Sequence, residues 1–292
     1  MTWLKRNIMF PLVFTDTLLR WVLRSGAVVS ALVMAMIMLF LLVESWPVLQ
    51  HLSLVRFFTD SSWHPLEGAY NLTPMLSGTL LASIGALFLA IPLGIASAIF
   101  IVYYASSRSA LLYRRLIELL AGIPSVVFGF WGLTTLVPLI NQLHPPGASL
   151  LAGILVLTLM ILPTIALTAY AAFSAVPNEY MRSAAALGLS RWGMIRGVIF
   201  PAARTGIVAG VILAAGRALG ETMAVLMVAG NVVQHPDSLF DPIRTLAANI
   251  ALEMAYAMGD HRAVLFVSGL MLMLLVMILS GLAGWLGKNR YA

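Results

Sequence analysis

Cysteine is absent from the 292 residues, and with it thiol catalysis, thiolate metal sites and structural disulfides. Charge is scarce too: Asp, Glu, Lys and Arg make up 10% of the chain, where a soluble domain carries about 25%. The only lysines are Lys5 and Lys288. Neither stands in Gly-x4-Gly-Lys-Ser/Thr, the loop whose backbone amides cradle a nucleotide's phosphates, so the chain does not hold ATP by that device and is not read as an enzyme. The histidines, His51, His64, His144, His235 and His261, all fall in connections between apolar stretches, none with His-x3-His spacing for zinc. None lies at membrane depth for a serine–histidine protease, so all five read as surface-loop residues and no metal or cofactor is expected in this chain.

What is abundant is apolar surface. Hydrophobic residues make up 61% of the chain, which excludes a disordered regulator and places the polypeptide in a bilayer. A spanning helix needs about 20 mainly apolar residues. Six stretches qualify, about Val22 to Val43, Met75 to Tyr103, Ile117 to Leu139, Ala148 to Phe173, Gly206 to Val233 and Ala263 to Leu286. The first is too long for a signal peptide, and Glu44-Ser-Trp-Pro47 offers no small-residue cleavage site, so it reads as a retained helix.

The basic excess, +6 at neutral pH, is explained by topology rather than by a nucleic-acid partner. One set of connections holds Lys5, Arg6, Arg20, Arg24, Arg108, Arg114, Arg115, Arg182, Arg191, Arg196, Arg204, Lys288 and Arg290; the other holds Arg56, Arg244 and Arg262. Because positive residues stay in the cytoplasm, both termini are expected there. The expected organisation is an all-α membrane protein. Residues 1–74 form a tail, the first helix and an external segment; 75–287 form a transmembrane domain with a cytoplasmic loop at 174–205; 288–292 form a tail.

Two charges, Arg217 and Glu221, are left inside the membrane. At about 100° per residue, Gly206, Gly210, Ala214, Arg217 and Glu221 fall at roughly 0°, 40°, 80°, 20° and 60°, one stripe facing protein or a cavity. The i, i+4 spacing lets Arg217 and Glu221 touch along a continuous helix. Intramembrane charges are functional candidates by default. The pair either locks the helix to a neighbour or offers a guanidinium to a crossing oxyanion, with Glu221 neutralising it at rest. Thr222 adjoins the pair. In the third stretch Pro124, Gly129 and Gly132 favour a kink, with Ser125 as a pore-lining candidate or simply part of a bent packing helix. In the 174–205 loop, Pro177 and Asn178 can start a short helix that Gly188 ends, and a second run from Arg191 stops before Pro201. This helix-turn-helix at the membrane surface is either a docking element or an amphipathic loop.

At these residues the sequence resembles the inner-membrane permeases of ABC importers, whose loop follows Glu-Ala-Ala-x3-Gly-x9-Ile-x-Leu-Pro. Here Arg182, Ser183, Ala184, Gly188, Val198, Phe200 and Pro201 match, with Arg182 in the acidic position. Gly216-Arg-Ala-Leu-Gly-Glu-Thr-Met-Ala-Val225, Leu119 to Leu133, Ser45-Trp-Pro47, Trp63-x-Pro65 and Pro74-x3-Gly-Thr79 are similar to the phosphate-importer permeases of the PstC kind, more than to the sister PstA kind. The resemblance implies a MetI-like, type I importer architecture. It implies a coupling helix in which Arg182, Ser183, Ala184, Ala185, Gly188, Arg191 and Pro201 meet an ATPase, and a substrate path along Arg217, Glu221, Thr222 and Ser125. It also implies partners: a PstA-like second permease, two PstB-like ATPase subunits carrying ATP and Mg, and a PstS-like external phosphate-binding protein. The function implied is import of inorganic phosphate across a bacterial inner membrane. A stand-alone ion-coupled anion transporter and a non-transporting scaffold are the alternatives.

Overall fold

The computed structural model describes the backbone of residues 4–288 and the side chains of residues 17–281. Of the expected orientation signals, the side chains of Lys5, Arg6 and Lys288 and all of Arg290 lie outside those ranges, as does nearly all of the 288–292 tail. Six described helices are long and apolar enough to cross a membrane: Thr17–His51, Thr73–Tyr104, Ser125–Leu143, Leu150–Ser174, Arg191–Gly220 and Gly259–Gly281, here spans one to six. The chain is a multi-pass membrane protein.

Span four is the hub, buried along 67% of its most apolar window and packed against spans two and five. Span two meets it through Ala82, Ala86, Ala90, Gly94 and Ala98, all buried and four residues apart, a spacing that lets backbones approach closely. A methyl placed on Gly94 would lie 2.8 Å from the Ile165 side chain, so the contact leaves no room for a larger residue. Span one does the opposite. None of its window is buried, and it touches the bundle along span six, through the Phe40–Phe266 ring contact and Leu41 against Gly269.

Two expected helices differ in extent. The stretch from Ile117 to Leu139 is broken: an amphipathic helix, Ser107–Ala121, stops at Gly122, and span three restarts after Pro124. Pro124 has no N–H, and its ring biases Ile123 away from the helical region, so the kink becomes a break. Span five begins at Arg191 rather than Gly206 and ends at Gly220 rather than Val233. The second run does not stop at Pro201. A wide π-type turn at Ile195–Ile199 precedes it, and the helix continues as Phe200–Gly220. Proline at the second position of that segment needs no helical N–H partner, so the wide turn and the proline are compatible.

The connections at the far end of the bundle, where span one ends and span two begins, are ordered. A two-stranded hairpin pairs Trp63 with Tyr70 and His64 with Ala69. It is clasped by Asp60, which accepts from Arg56 Nε (3.1 Å) and from the Tyr70 backbone N–H (2.9 Å). Burial pushes the Asp60 carboxyl up, but the Tyr70 amide and the Arg56 guanidinium together outweigh it and hold the pKa below the usual 3.8. Phe57, Trp63, Tyr70 and Leu72 pack with Val48, Leu246 and Val264 beneath this clasp.

Candidate functional site

Span five ends between its two candidate charges. Glu221 leaves the helix at φ −69°, ψ 123°, and the chain re-enters helical geometry as the short segment Met223–Val228. A break at this depth frees backbone groups that lipid cannot satisfy. The two residues at the break supply partners: Glu221 Oε1 accepts from the Ala224 N–H at 3.1 Å, and the Thr222 hydroxyl donates to the Gly220 carbonyl at 3.2 Å. The expected contact between Arg217 and Glu221 is therefore not formed, because the helix that would align them stops. Arg217 is exposed and has no ion-pair or hydrogen-bond partner among the described residues.

Gly210 packs against Thr168, and a methyl on Gly206 would lie 2.7 Å from Ala172 Cβ. Taken from buried Gly210, Gly206 lies at about −40°, buried Ala214 and Ala218 at about +40° and +80°, and exposed Arg217 at about −20°. Arg217 thus shares the direction of the packed glycines but, about two turns further along the helix, is exposed.

Span three runs parallel to Met223–Val228 in close contact. A methyl on Gly129 would lie 2.9 Å from Ala224 Cα, and one on Gly132 2.8 Å from Val228. Ser125, half-buried and one turn before Gly129, is consequently level with the Gly220–Thr222 break, so the breaks at Pro124 and at Glu221 are neighbours. Thr222 turns to a different space, an apolar cavity of about 510 Å³ between spans one and six that Ile250 and Gly269 also line.

At the opposite end of span five lies a short helix, Asn178–Ala186, entered from Pro177. Gly188 closes it at φ +74°, a left-handed conformation that favours glycine, while Leu189 N–H reaches back to the Ala184 carbonyl at 3.1 Å. Ser190 then caps the start of span five by accepting from the Gly193 N–H. Ala184 is buried, and Met181 packs with Phe173, Ile195 and Ile199. Arg182, Ser183, Ala185, Gly188, Arg191 and Pro201 are all exposed. So are Tyr180, Leu187, Leu189 and Trp192, with Leu187 at 80%, an apolar patch on a polar loop. The expected helix-turn-helix is therefore a helix and a turn whose second helix is the span itself.

One cluster escaped the sequence reading. Glu253 is only 7% exposed; its Oε1 accepts from Arg244 Nη1 at 2.6 Å, and its Oε2 accepts from Trp63 Nε1 at 3.1 Å and lies 2.8 Å from His261 Nε2. Arg244 also reaches the Asn231 carbonyl and Asn249. The cluster joins the hairpin, the loop after the broken span, helix Leu246–Glu253 and the first turn of span six. His261 is accordingly a half-buried partner in the first turn of span six rather than the surface-loop residue expected.

The family model described as binding-protein-dependent transport system inner membrane component matches residues 90–290. A phosphate transport system permease protein PstC from Mesorhizobium japonicum is 33% identical over 294 aligned positions, covering 93% of this chain and 90% of the relative. A probable ABC transporter permease, YqgH of Bacillus subtilis, is 38% identical over 81% of this chain and 78% of its own. Among solved structures, the inward-facing MetNI methionine ABC transporter aligns with a TM-score of 0.58 at 17% identity, over 76% of this chain and 94% of that one. A bacterial ABC transporter that imports alginate aligns with a TM-score of 0.63 at 14% identity, over 91% and 96%. These structures carry the fold alone.

Proposed function

This chain belongs to the binding-protein-dependent transport system inner membrane components and, among them, to the PstC phosphate transport permeases, and from that premise we propose that it is one permease half of an ATP-driven phosphate importer in a bacterial inner membrane. The observation that carries the reading is Arg217, exposed beside a helix break and without a partner among the described residues. A guanidinium matches a phosphate's oxygens in fork geometry and stays charged at any working pH. A charge left unpaired in one subunit also calls for a counter-charge from outside it. A homologous, PstA-like permease seated on the bare face of spans one and five supplies the second wall of the path, with Ser125 and Glu221 bordering it.

ATP binding and hydrolysis belong to a separate pair of PstB-like subunits, docked on the exposed loop around Gly188 with both termini on that cytoplasmic side. From Arg191 to Gly220 the chain is one helix of 30 residues, about 45 Å at 1.5 Å per residue. Movement of the Asn178–Ala186 helix, packed on that helix's first turns, tilts it as a lever whose far end is Arg217 and the break. Arg182, in the position where the family pattern has an acid, contacts an acidic rather than a basic group on the ATPase. On the opposite side a PstS-like protein delivers phosphate to the hairpin face.

The test is radiolabelled phosphate uptake into liposomes holding either this chain alone or the full set of subunits. Uptake should require the second permease, the ATPase and ATP. Phosphate transport by the lone chain, driven by a proton or sodium gradient, would replace this reading with an ion-coupled transporter.

A further inference from the structure

Away from the broken helices, a second cavity of about 350 Å³ lies where spans two and four leave the bundle beside helix Ser107–Ala121. Its lining is mixed: Ile101, Val102 and Leu111 are apolar, and Arg114, Ser107 and Ser174 polar. Ile101 and Val102 belong to the wide turn Phe100–Tyr104, whose extra residue opens the backbone at this point.

Arg114 is held in place before any ligand arrives. Its Nε donates to Glu118 at 2.8 Å, its Nη1 to the Tyr170 hydroxyl at 3.3 Å, and the guanidinium carbon sits 4.9 Å from the centre of the Tyr170 ring. The remaining donors of its five, both on Nη2 included, have no acceptor among the described residues. The exposed hydroxyls of Ser107 and Ser174 have none among them either, so three donor groups line one cavity and are open to a ligand. Charge is unbalanced in the same direction: Arg108, Arg114 and Arg115 stand against Glu118 alone on this helix.

We infer that this cavity binds the phosphate group of an anionic phospholipid, with Arg114, Ser107 and Ser174 as its donors. The choice of a lipid over free phosphate rests on the helix's outer surface. Leu112, Leu116 and Leu119 are 62%, 54% and 70% exposed there, interleaved with exposed Arg108 and Arg115. Apolar side chains entering acyl chains while arginines reach headgroups is how a helix lies in a membrane interface. A basic pocket between spans at the cytoplasmic side is where anionic headgroups are retained.

The experiment counts phosphatidylglycerol retained by the purified, assembled complex in native mass spectrometry, after washing in a neutral detergent. Wild type should retain it, Arg114→Gln several-fold less, and Arg196→Gln, an exposed arginine outside the cavity, as much as wild type. Ser174→Leu fills part of the cavity while leaving Arg114 in place and should lose lipid equally, which covers the case in which the arginine variant fails to assemble. Equal retention by wild type and Ser174→Leu overturns the proposal. Displacement of phosphatidylglycerol by millimolar inorganic phosphate, without detergent-borne lipid to compete, assigns the cavity to free phosphate and overturns the lipid assignment.

Discussion

Replacing Glu253 by alanine should destabilise the bundle more than any change at the candidate transport residues. Its side chain is 10% exposed and those of Arg244 and His261 are 18% and 14%, so the carboxylate is withdrawn from water together with its partners. Removing one member of such a buried pair costs about 3–5 kcal/mol, because the remaining charge stays buried without compensation. Arg244 keeps the Asn231 carbonyl and Asn249, which puts the cost toward the lower end. Glu253→Gln retains an acceptor for Trp63 but loses the charge facing Arg244, a loss of about 2 kcal/mol for a charge-assisted hydrogen bond. In a chain of this size the alanine variant should melt on the order of 6–12 °C below wild type. The double variant Arg244→Met/Glu253→Leu should recover part of the loss, since no unpaired charge remains. Thermal unfolding in detergent can be followed by labelling a single introduced cysteine, because the chain has none of its own. If Glu253→Ala melts with wild type, the cluster does not bear on stability and the reasoning fails.

Other outcomes follow from the same geometry. Gly129→Ala forces a methyl to within 2.9 Å of Ala224 Cα and should cost about 1–3 kcal/mol, whereas Gly153→Ala, whose methyl meets nothing within 4 Å, should not destabilise; paired melting curves decide. Gly188→Ala also meets no atom, so its cost of about 1 kcal/mol comes from the φ of +74° alone and should appear as weaker ATPase retention on pull-down, with span five intact by circular dichroism. The lowered Asp60 pKa contributes stability that is present above the unfolded value near 3.8 and lost as pH falls through the lower folded value. Asp60→Asn should therefore lower the melting temperature at neutral pH and make little difference near pH 2; an equal effect at both would show that the clasp is not electrostatic.

The spans were legible because long apolar runs need no tertiary information. The breaks were harder to read. Gly220-Glu221-Thr222 preserves the apolar spacing on both sides, so periodicity runs through a point where the backbone does not. The ambiguity at Arg217 has a similar origin, since it shares the direction of packed Gly206 and Gly210 and only its exposure sets it apart. The span-two ladder of Ala82, Ala86, Ala90, Gly94 and Ala98 could have been found by the spacing rule applied to span five. The Glu253 cluster could not. Trp63 and Glu253 are 190 positions apart, and nothing local distinguishes a buried carboxylate between spans from a solvated one.

The central claim is that Arg217 meets the transported anion, and phosphate uptake by the assembled complex carrying Arg217→Gln tests it most directly. An exposed side chain without partners among the described residues can be neutralised with little effect on folding, so the complex should assemble and retain its ATPase. Uptake should nevertheless be lost, with Arg217→Lys intermediate because a point charge replaces the fork. Normal uptake by the assembled glutamine variant would contradict the account.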